Sequence, residues 1–402
     1  MPRRQIALRA LPASVLLLAA ACTGQTAADA GTSSPSAAVS TSPIASTSPA
    51  SVLRIAVIED LSVEDTIGRV TPAFQGVRLA ISRAAVAEDL PIPVQLVAHD
   101  IEPGGSTLEE IAQDVAADPA VVGAIVMPFT EEPDVIGRAF DQAGIPTLSL
   151  STLGTALSEQ GWTTWRRAVA NQAEQAAALA SFVGSLKSSS RGVCVVGDRS
   201  VAANGITVRV ARALGDLVGL ESSTAADGTG AAALAQRISE AGCGVVVWGG
   251  YSTAAVQLRL ALDVAGLSDV VLVGSDALKD DDYVDAAGQA GEGTIVSCPC
   301  ADLNTSGSIN AQRFVQDFQT KYGTPPRVYA AEGVDVGRMF LAALRSGART
   351  REEVATYFGR LGEFDGLAGT YVFESNGELS GTSAAVRFYR DEGGRWVQLQ
   401  GP

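Results

Sequence analysis

Gly244-Val245-Val246-Val247-Trp248 and Val270-Val271-Leu272-Val273 are two short apolar runs, and between them Ala255, Leu258, Leu262 and Ala265 fall on one helical face. Runs this short and this rich in β-branched residues read as buried strands, and the stretch between them as an amphipathic helix. Gly192–Val196 and Thr294–Ser297 are similar runs, with a weaker candidate near Leu220, so strand starts recur about every 25 residues. One strand plus one crossover helix has about that length. Such alternation predicts a parallel sheet with helices on both faces and right-handed crossovers. The first half repeats the pattern in Leu53–Ile58, Val94–Ala98, Val121–Met127 and Pro146–Leu150. There Phe74, Val77, Ile81 and Ala84 mark one helix face, and Ser106-Thr107-Leu108-Glu109 reads as a capping box opening the next helix. Two sets of units predict an α/β protein of two doubly wound parallel-sheet lobes.

After Ala301 the pattern changes. Ile309–Tyr322, Val328–Ser346 and Arg351–Leu361 read as helices. Gly369–Phe373, Ala384–Phe388 and Trp396–Leu399 read as an antiparallel meander with turns at Asn376-Gly377 and Gly393-Gly394. A chain that completes two lobes and then adds these pieces is expected to cross back between them. The expected N-terminal lobe is 53–168 plus 302–366, and the C-terminal lobe 169–301 plus 367–400.

Residues 1–21 read as an export signal. Arg3, Arg4 and Arg9 precede an apolar run from Ala10 to Ala21 that stops at Cys22. The run is shorter than the roughly 20 apolar residues a bilayer span needs. Leu18-Ala19-Ala20-Ala21-Cys22 resembles a bacterial lipobox, which implies a lipid on Cys22 and a protein anchored at the outer face of the cell membrane. Thr23–Ser51 is almost all Ser, Thr, Ala and Pro with Asp29 as its only charge, so it cannot bury enough surface to offset its ordering entropy. Residues 22–52 are therefore expected to act as a tether with an r.m.s. reach of about 30 Å.

The formal net charge is -15 and no basic block interleaves with aromatics, which argues against a nucleic-acid partner. His99 is the only histidine, so zinc sites with several imidazoles are impossible and Ser149, Ser151 and Ser200 lack a histidine base. His99 itself ends a strand pattern beside Asp100 and reads as structural. Gly192–Gly197 does not spell Gly-x-Gly-x-x-Gly and no P-loop occurs, so no cofactor is expected. Cys194, Cys243, Cys298 and Cys300 permit two disulfides in three connectivities in an exported protein, while Cys194 and Cys243 read equally well as buried thiols. Cys298-Pro299-Cys300 has no matching pair to make a metal motif.

The order of pieces resembles the type I periplasmic binding proteins, in the leucine/isoleucine/valine-binding branch that serves ABC transporters. The resemblance runs from Leu53 to Leu399. It is carried by Arg54-Ile55-Ala56-Val57, Gln75-Gly76-Val77, Ala98-His99-Asp100, Gly123 through Thr130, Gly144-Ile145-Pro146 and Leu148-Ser149. Trp248-Gly249-Gly250-Tyr251, Val273-Gly274-Ser275-Asp276 and Phe314 through Gly323 continue it. It implies two lobes that close over a ligand through hinge crossovers, with binding residues just after the strands. These are Phe129, Thr130, Glu131, Ser149, Ser151 and Thr152 on the first lobe, and Asn171, Tyr251 and Asp276 on the second. In amino-acid-binding relatives, hydroxyls and helix amides hold the ligand carboxylate while an acid at the place of Asp276 holds the ammonium and a tyrosine at the place of Tyr251 covers it.

The carboxylate side departs from the family. Thr130 is followed by Glu131, Glu132 and Pro133, so the helix start carries two like charges and lacks one amide donor. Leu153 stands where close relatives offer a hydroxyl, Met127 where a glycine is usual, and Ile58-Glu59-Asp60-Leu61-Ser62 replaces a glycine-rich loop. The expectation is that the pocket does not hold a free α-amino acid in the usual pose and suits cationic or neutral solutes better. The leading reading is a monomeric, non-enzymatic lipoprotein that delivers a small polar solute to an ABC permease. The rival is a regulatory or structural envelope lipoprotein with a degenerate pocket that binds a protein partner.

Overall fold

Val-rich and Ile-rich runs build two sheets with the same strand order. In a computed structural model that describes residues 52–59, 71–87, 90, 92–101, 107–127 and 133–399, the first sheet comprises β1 (Leu53–Glu59), β2 (Val94–Asp100), β3 (Val121–Val126), β4 (Thr147–Ser149) and β5 (Trp165–Arg167). All its pairings are parallel, in the order β2-β1-β3-β4-β5. The second sheet contains β6 (Val193–Gly197), β7 (Val218–Ser223), β8 (Val245–Gly249), β9 (Val271–Gly274) and β10 (Ile295–Cys298), parallel in the order β7-β6-β8-β9-β10. Every residue of β3, β6 and β8 is buried, as strands covered on both faces must be. The export signal, Cys22 and nearly all of the tether lie outside the described residues.

The connecting helices are α1 (Pro72–Val86), α2 (Leu108–Ala117) and α3 (Pro133–Gln142) in the first lobe. The second lobe has α4 (Gln172–Ser185), α5 (Val201–Leu214), α6 (Ala231–Ala241), α7 (Ser252–Val264) and α8 (Asp281–Ala287). Then come α9 (Ile309–Tyr322), α10 (Ala330–Arg345) and α11 (Arg351–Gly359). They return to the first lobe. A Cβ on Gly76 of α1 would collide with the Ala330 carbonyl, and one on Gly333 with the Ala73 carbonyl, so α1 and α10 meet backbone to backbone. Arg351 at the start of α11 donates to the carbonyls of Val115, Ala116, Asp118, Val121 and Ala143, tying that helix to the same lobe.

The chain ends with β11 (Phe364–Asp365), β12 (Thr370–Tyr371), β13 (Arg387–Asp391) and β14 (Trp396–Gln398). β13 joins β10 antiparallel and β14 joins β13, with positive φ at Gly393 and Gly394 in the turn between them. The first piece of the expected meander differs: β12 pairs with β11 rather than with β13, and the Asn376-Gly377 turn closes a local Phe373–Leu379 bridge. The capping box is also displaced by one residue. Thr107 is the N-cap, so its reciprocal partner is Glu110, with Glu110 N–H to Thr107 Oγ1 at 3.2 Å and Thr107 N–H to Glu110 Oε2 at 2.8 Å. Disulfides join Cys194 to Cys243 and Cys298 to Cys300, so the cysteines whose state was open in the sequence are paired.

Candidate functional site

A doubly wound sheet offers a crevice at the carboxyl ends of the strands where the order reverses. Here those points lie between β1 and β3 in one lobe and between β6 and β8 in the other. The first is edged by Glu59, buried at the tip of β1, and Met127 just past β3. The second is edged by Asp198 after β6 and Gly250-Tyr251 after β8.

Asp198 braces the second point. Its Oδ1 accepts from Ser200 N–H at 3.0 Å and its Oδ2 from Tyr251 N–H at 2.7 Å. Gly250 has φ +129, and a Cβ there would collide with the Asp198 carboxylate. The close approach leaves Tyr251 at the start of α7 with 43% of its surface exposed, a large aromatic ring presented beside the crevice.

Asp276 lies two residues past β9 and is 9% exposed. Its Oδ1 accepts from Gln175 Nε2 and its Oδ2 from Tyr329 Oη, both at 2.7 Å. Gln175 Nε2 also reaches the Ser297 carbonyl at 3.2 Å. Burial raises the Asp276 carboxyl above its ordinary range, and the Tyr329 and Gln175 hydrogen bonds oppose that shift. Burial likewise holds the Tyr329 hydroxyl well above its usual value, with the Asp276 charge adding to it.

On the first lobe Ser149 ends β4 fully buried, and its Oγ has no hydrogen-bond partner among the described residues. The Ser151 hydroxyl donates to the Met127 carbonyl, and Thr152 is buried beside it in sequence. Asn171 caps α4: its Oδ1 accepts from Ala173 N–H at 2.9 Å and Glu174 N–H at 3.1 Å, and Glu174 answers to the Asn171 N–H at 2.8 Å. Phe129, Thr130 and Glu131, together with Glu132, lie outside the described residues. The structure thus puts Tyr251 and Asp276 on the carboxyl edge of one sheet, and Ser149, Ser151 and Thr152 on that of the other. Arg209 of α5 reaches the stretch after β4, donating from Nη2 to Thr155 Oγ1 at 2.7 Å.

The passages between lobes run side by side. Ala168, Val169 and Ala170, then Pro299, then Ala368 and Gly369 line one crevice together with Glu332 and Arg387. Glu332 is buried there, accepts from Ala301 N–H at 2.6 Å through Oε1, and has no partner at Oε2 among the described residues. Burial pushes its carboxyl up to about 7. Asp198, Gln175, Tyr329 and Glu332 are participants that the sequence did not announce. Tyr329 falls within the stretch whose pattern predicts a helix, yet it stands at φ +61 just before one. Among the described residues no cluster of His, Cys, Asp or Glu could hold a metal, and no helix is long and apolar enough to cross a membrane.

The fold is shared with solved transport proteins. An ABC transporter substrate-binding protein from Desulfitobacterium hafniense in complex with Leu superposes with a TM-score of 0.71 at 20% identity, covering 87% of this chain and 100% of that one. The branched-chain amino acid transporter substrate-binding protein LivJ from Streptococcus pneumoniae, in complex with isoleucine, gives 0.75 at 16% identity, with 87% and 100% covered. The leucine-binding protein LivK from Thermotoga maritima gives 0.71 at 19% identity, with 87% and 98% covered. No curated protein sequence matches the chain. The family model described as periplasmic binding protein matches residues 52–394. That family is extracytoplasmic, and its members bind solutes instead of transforming them. With two lobes whose strand tips and crossovers are arranged as above, this chain belongs to the periplasmic binding protein family.

Proposed function

We propose that this protein binds a small polar solute, amino-acid-like, amine or amide, in the cleft between its lobes and delivers it to an ABC permease. One observation carries the reading: each lobe has its own switch point, and the carboxyl edges of the two sheets carry an exposed aromatic, Tyr251, and a buried hydroxyl without a partner among the described residues, Ser149. A buried hydroxyl lacking a partner loses free energy that a solute hydrogen bond would restore. The lobes are taken as 53–168 plus 302–366 and 169–301 plus 367–400, hinged at the crossovers. Phe129, Thr130, Glu131, Ser149, Ser151 and Thr152 are assigned to the solute from one side, and Asn171, Tyr251 and Asp276 from the other. Asn171 and Asp276 already serve their own chain, so they frame the site as much as they contact its guest. A lipid on Cys22 and the 22–52 tether hold a monomer at the outer face of the cell membrane.

Leucine and isoleucine, the ligands in two of the similar structures, head the panel to test, followed by amines and amides. A solute that binds only the folded state must raise the melting temperature, by an amount set by its concentration over Kd. Thermal shift across the panel, with calorimetry on any hit, is the test; a one-to-one isotherm that weakens in Tyr251→Ala is expected. Membrane fractionation of Cys22→Ser tests the anchor, with loss from the membrane fraction expected. The engaged side chains of Asn171 and Asp276 are what favours the rival regulatory reading. A stable protein partner recovered together with an empty solute screen would establish that rival.

A further inference from the structure

Asp276 occupies the place where the family resemblance puts an acid for the solute ammonium, yet in this chain it already has two partners. Gln175, 1% exposed on α4, gives Nε2–H to Oδ1, and Tyr329 gives Oη–H to Oδ2, each at 2.7 Å. They come from 101 and 53 residues away and converge on one carboxylate. Tyr329 reaches it from a left-handed backbone, φ +61, which a bulky side chain adopts only where the surroundings over-determine it. The neighbouring acids are committed too. Asp198 holds the Ser200 and Tyr251 amides, and Asp280 accepts from Tyr283 N–H at 2.6 Å and Ser252 Oγ at 2.5 Å. Lys279, the nearest cation in sequence, pairs with Asp302 at 3.1 Å.

We propose that Asp276 is a pre-paired acid whose ammonium place is filled by the Tyr329 hydroxyl, so that the second lobe selects solutes carrying no charged amine at that point. This deepens the solute-binding reading and rests on it. An ammonium must compete with the Tyr329 and Gln175 donors for the Asp276 carboxylate, and displacing either leaves a buried donor unpaired, a cost that an amide or hydroxyl lodged elsewhere along the cleft does not incur. Burial, which moves the Asp276 carboxyl toward its neutral form, works in the same direction.

The test is calorimetric titration of the full mature chain with three probes that share one side chain. These are L-leucine, 4-methylpentanoate, which lacks the amine, and 4-methylpentanamide, which lacks all charge. The expected result is an amine-free probe binding within about tenfold of leucine or better. Tyr329→Phe should then improve leucine relative to the others at least tenfold, by reopening the carboxylate. Leucine binding at least a hundredfold tighter than both analogues, and abolished in Asp276→Asn, would overturn the proposal and leave solute binding standing. A second arm needs no solute. The Asp276 carboxyl, followed by carbon NMR and assigned with Asp276→Asn, should titrate above the ordinary aspartate range and rise further in Tyr329→Phe, which loses a donor to the charged form. An unchanged titration in that variant would overturn the pairing even if no probe binds, whereas failure of every probe with the shift present counts against the solute reading alone. Gln175→Met serves the same purpose, with the same direction expected, if Tyr329→Phe does not fold.

Discussion

Arg167, fully buried at the end of β5, places its Nε 3.2 and 3.1 Å from the two carboxylate oxygens of Glu378, a residue 211 positions later in the chain. Nη2 of the same guanidinium donates to Glu378 Oε1 at 3.2 Å and to the Gly154 carbonyl at 2.7 Å. Ser158 Oγ donates to Glu378 as well. A three-residue edge strand thereby holds the 374–379 turn against the first lobe. Removing one partner of a buried pair leaves an uncompensated charge, at a cost of about 3–5 kcal/mol. Glu378→Ala should therefore lose about that much in urea unfolding, while the double change Arg167→Met with Glu378→Leu recovers most of it. Equal losses in the single and double variants would contradict this account.

The two disulfides should differ in worth. Cys194–Cys243 closes a separation of 49 residues and Cys298–Cys300 one of 2. Loop-closure entropy assigns the first about 4 kcal/mol and the second less than about 2 kcal/mol. Replacing both cysteines of the long loop with alanine is expected to lower the urea midpoint well beyond the effect of replacing both of the short one. The short bridge sits at the start of the passage from β10 to α9, so its loss should show in solute affinity more than in stability.

Backbone contact between α1 and α10 leaves no room for a methyl group. Gly333→Ala places a Cβ against the Ala73 carbonyl, and the helices must part to accommodate it. Overpacking of this kind costs about 1–3 kcal/mol, and the upper end is expected because the obstacle is backbone. Gly359→Ala on α11 meets nothing closer than the far end of Arg166 and is the matched control, changing stability by less than about 0.5 kcal/mol.

Glu332 makes stability fall as pH rises. Its folded value, about 7, stands above the ordinary 4.5 because burial penalises the charge, with Asp335 adding to the shift and Arg387 opposing it. Below about pH 4.5 both states hold the proton and the contribution is complete. Between there and about pH 7 the unfolded chain releases its proton first, so stability declines, by at most about 3 kcal/mol, and then levels off. Asp276 and Asp335, also raised by burial, act with the same sign. Glu332→Gln should flatten its share of that slope in chemical denaturation at pH 5, 6, 7 and 8. A slope left intact would show that the carboxyl is ionised throughout.

Most strands were legible because Val246, Val247, Ile125 and their neighbours form short β-branched runs with no other use. β5 was not, since Trp165-Arg166-Arg167 carries two cations in three residues. It is a strand only because Glu378, supplied by distant chain, neutralises one of them. Asn171 shows a signal passed over: Glu174 three residues on completes a capping box, which local sequence could have identified. Asp276 shows the opposite. Its place after a strand was readable, but its partners Gln175 and Tyr329 come together only through the fold, and the Tyr329 backbone contradicts the helix its neighbours suggest.

Lobes that hold a small solute between their strand tips should keep it through gentle purification. Native mass spectrometry of the protein purified from its own cells, before and after denaturation, tests this most directly. The expected result is a one-to-one small-molecule adduct that is released on unfolding and is depleted in Tyr251→Ala. A bare polypeptide mass in every preparation, identical in that variant and unmoved by any added solute, would contradict it.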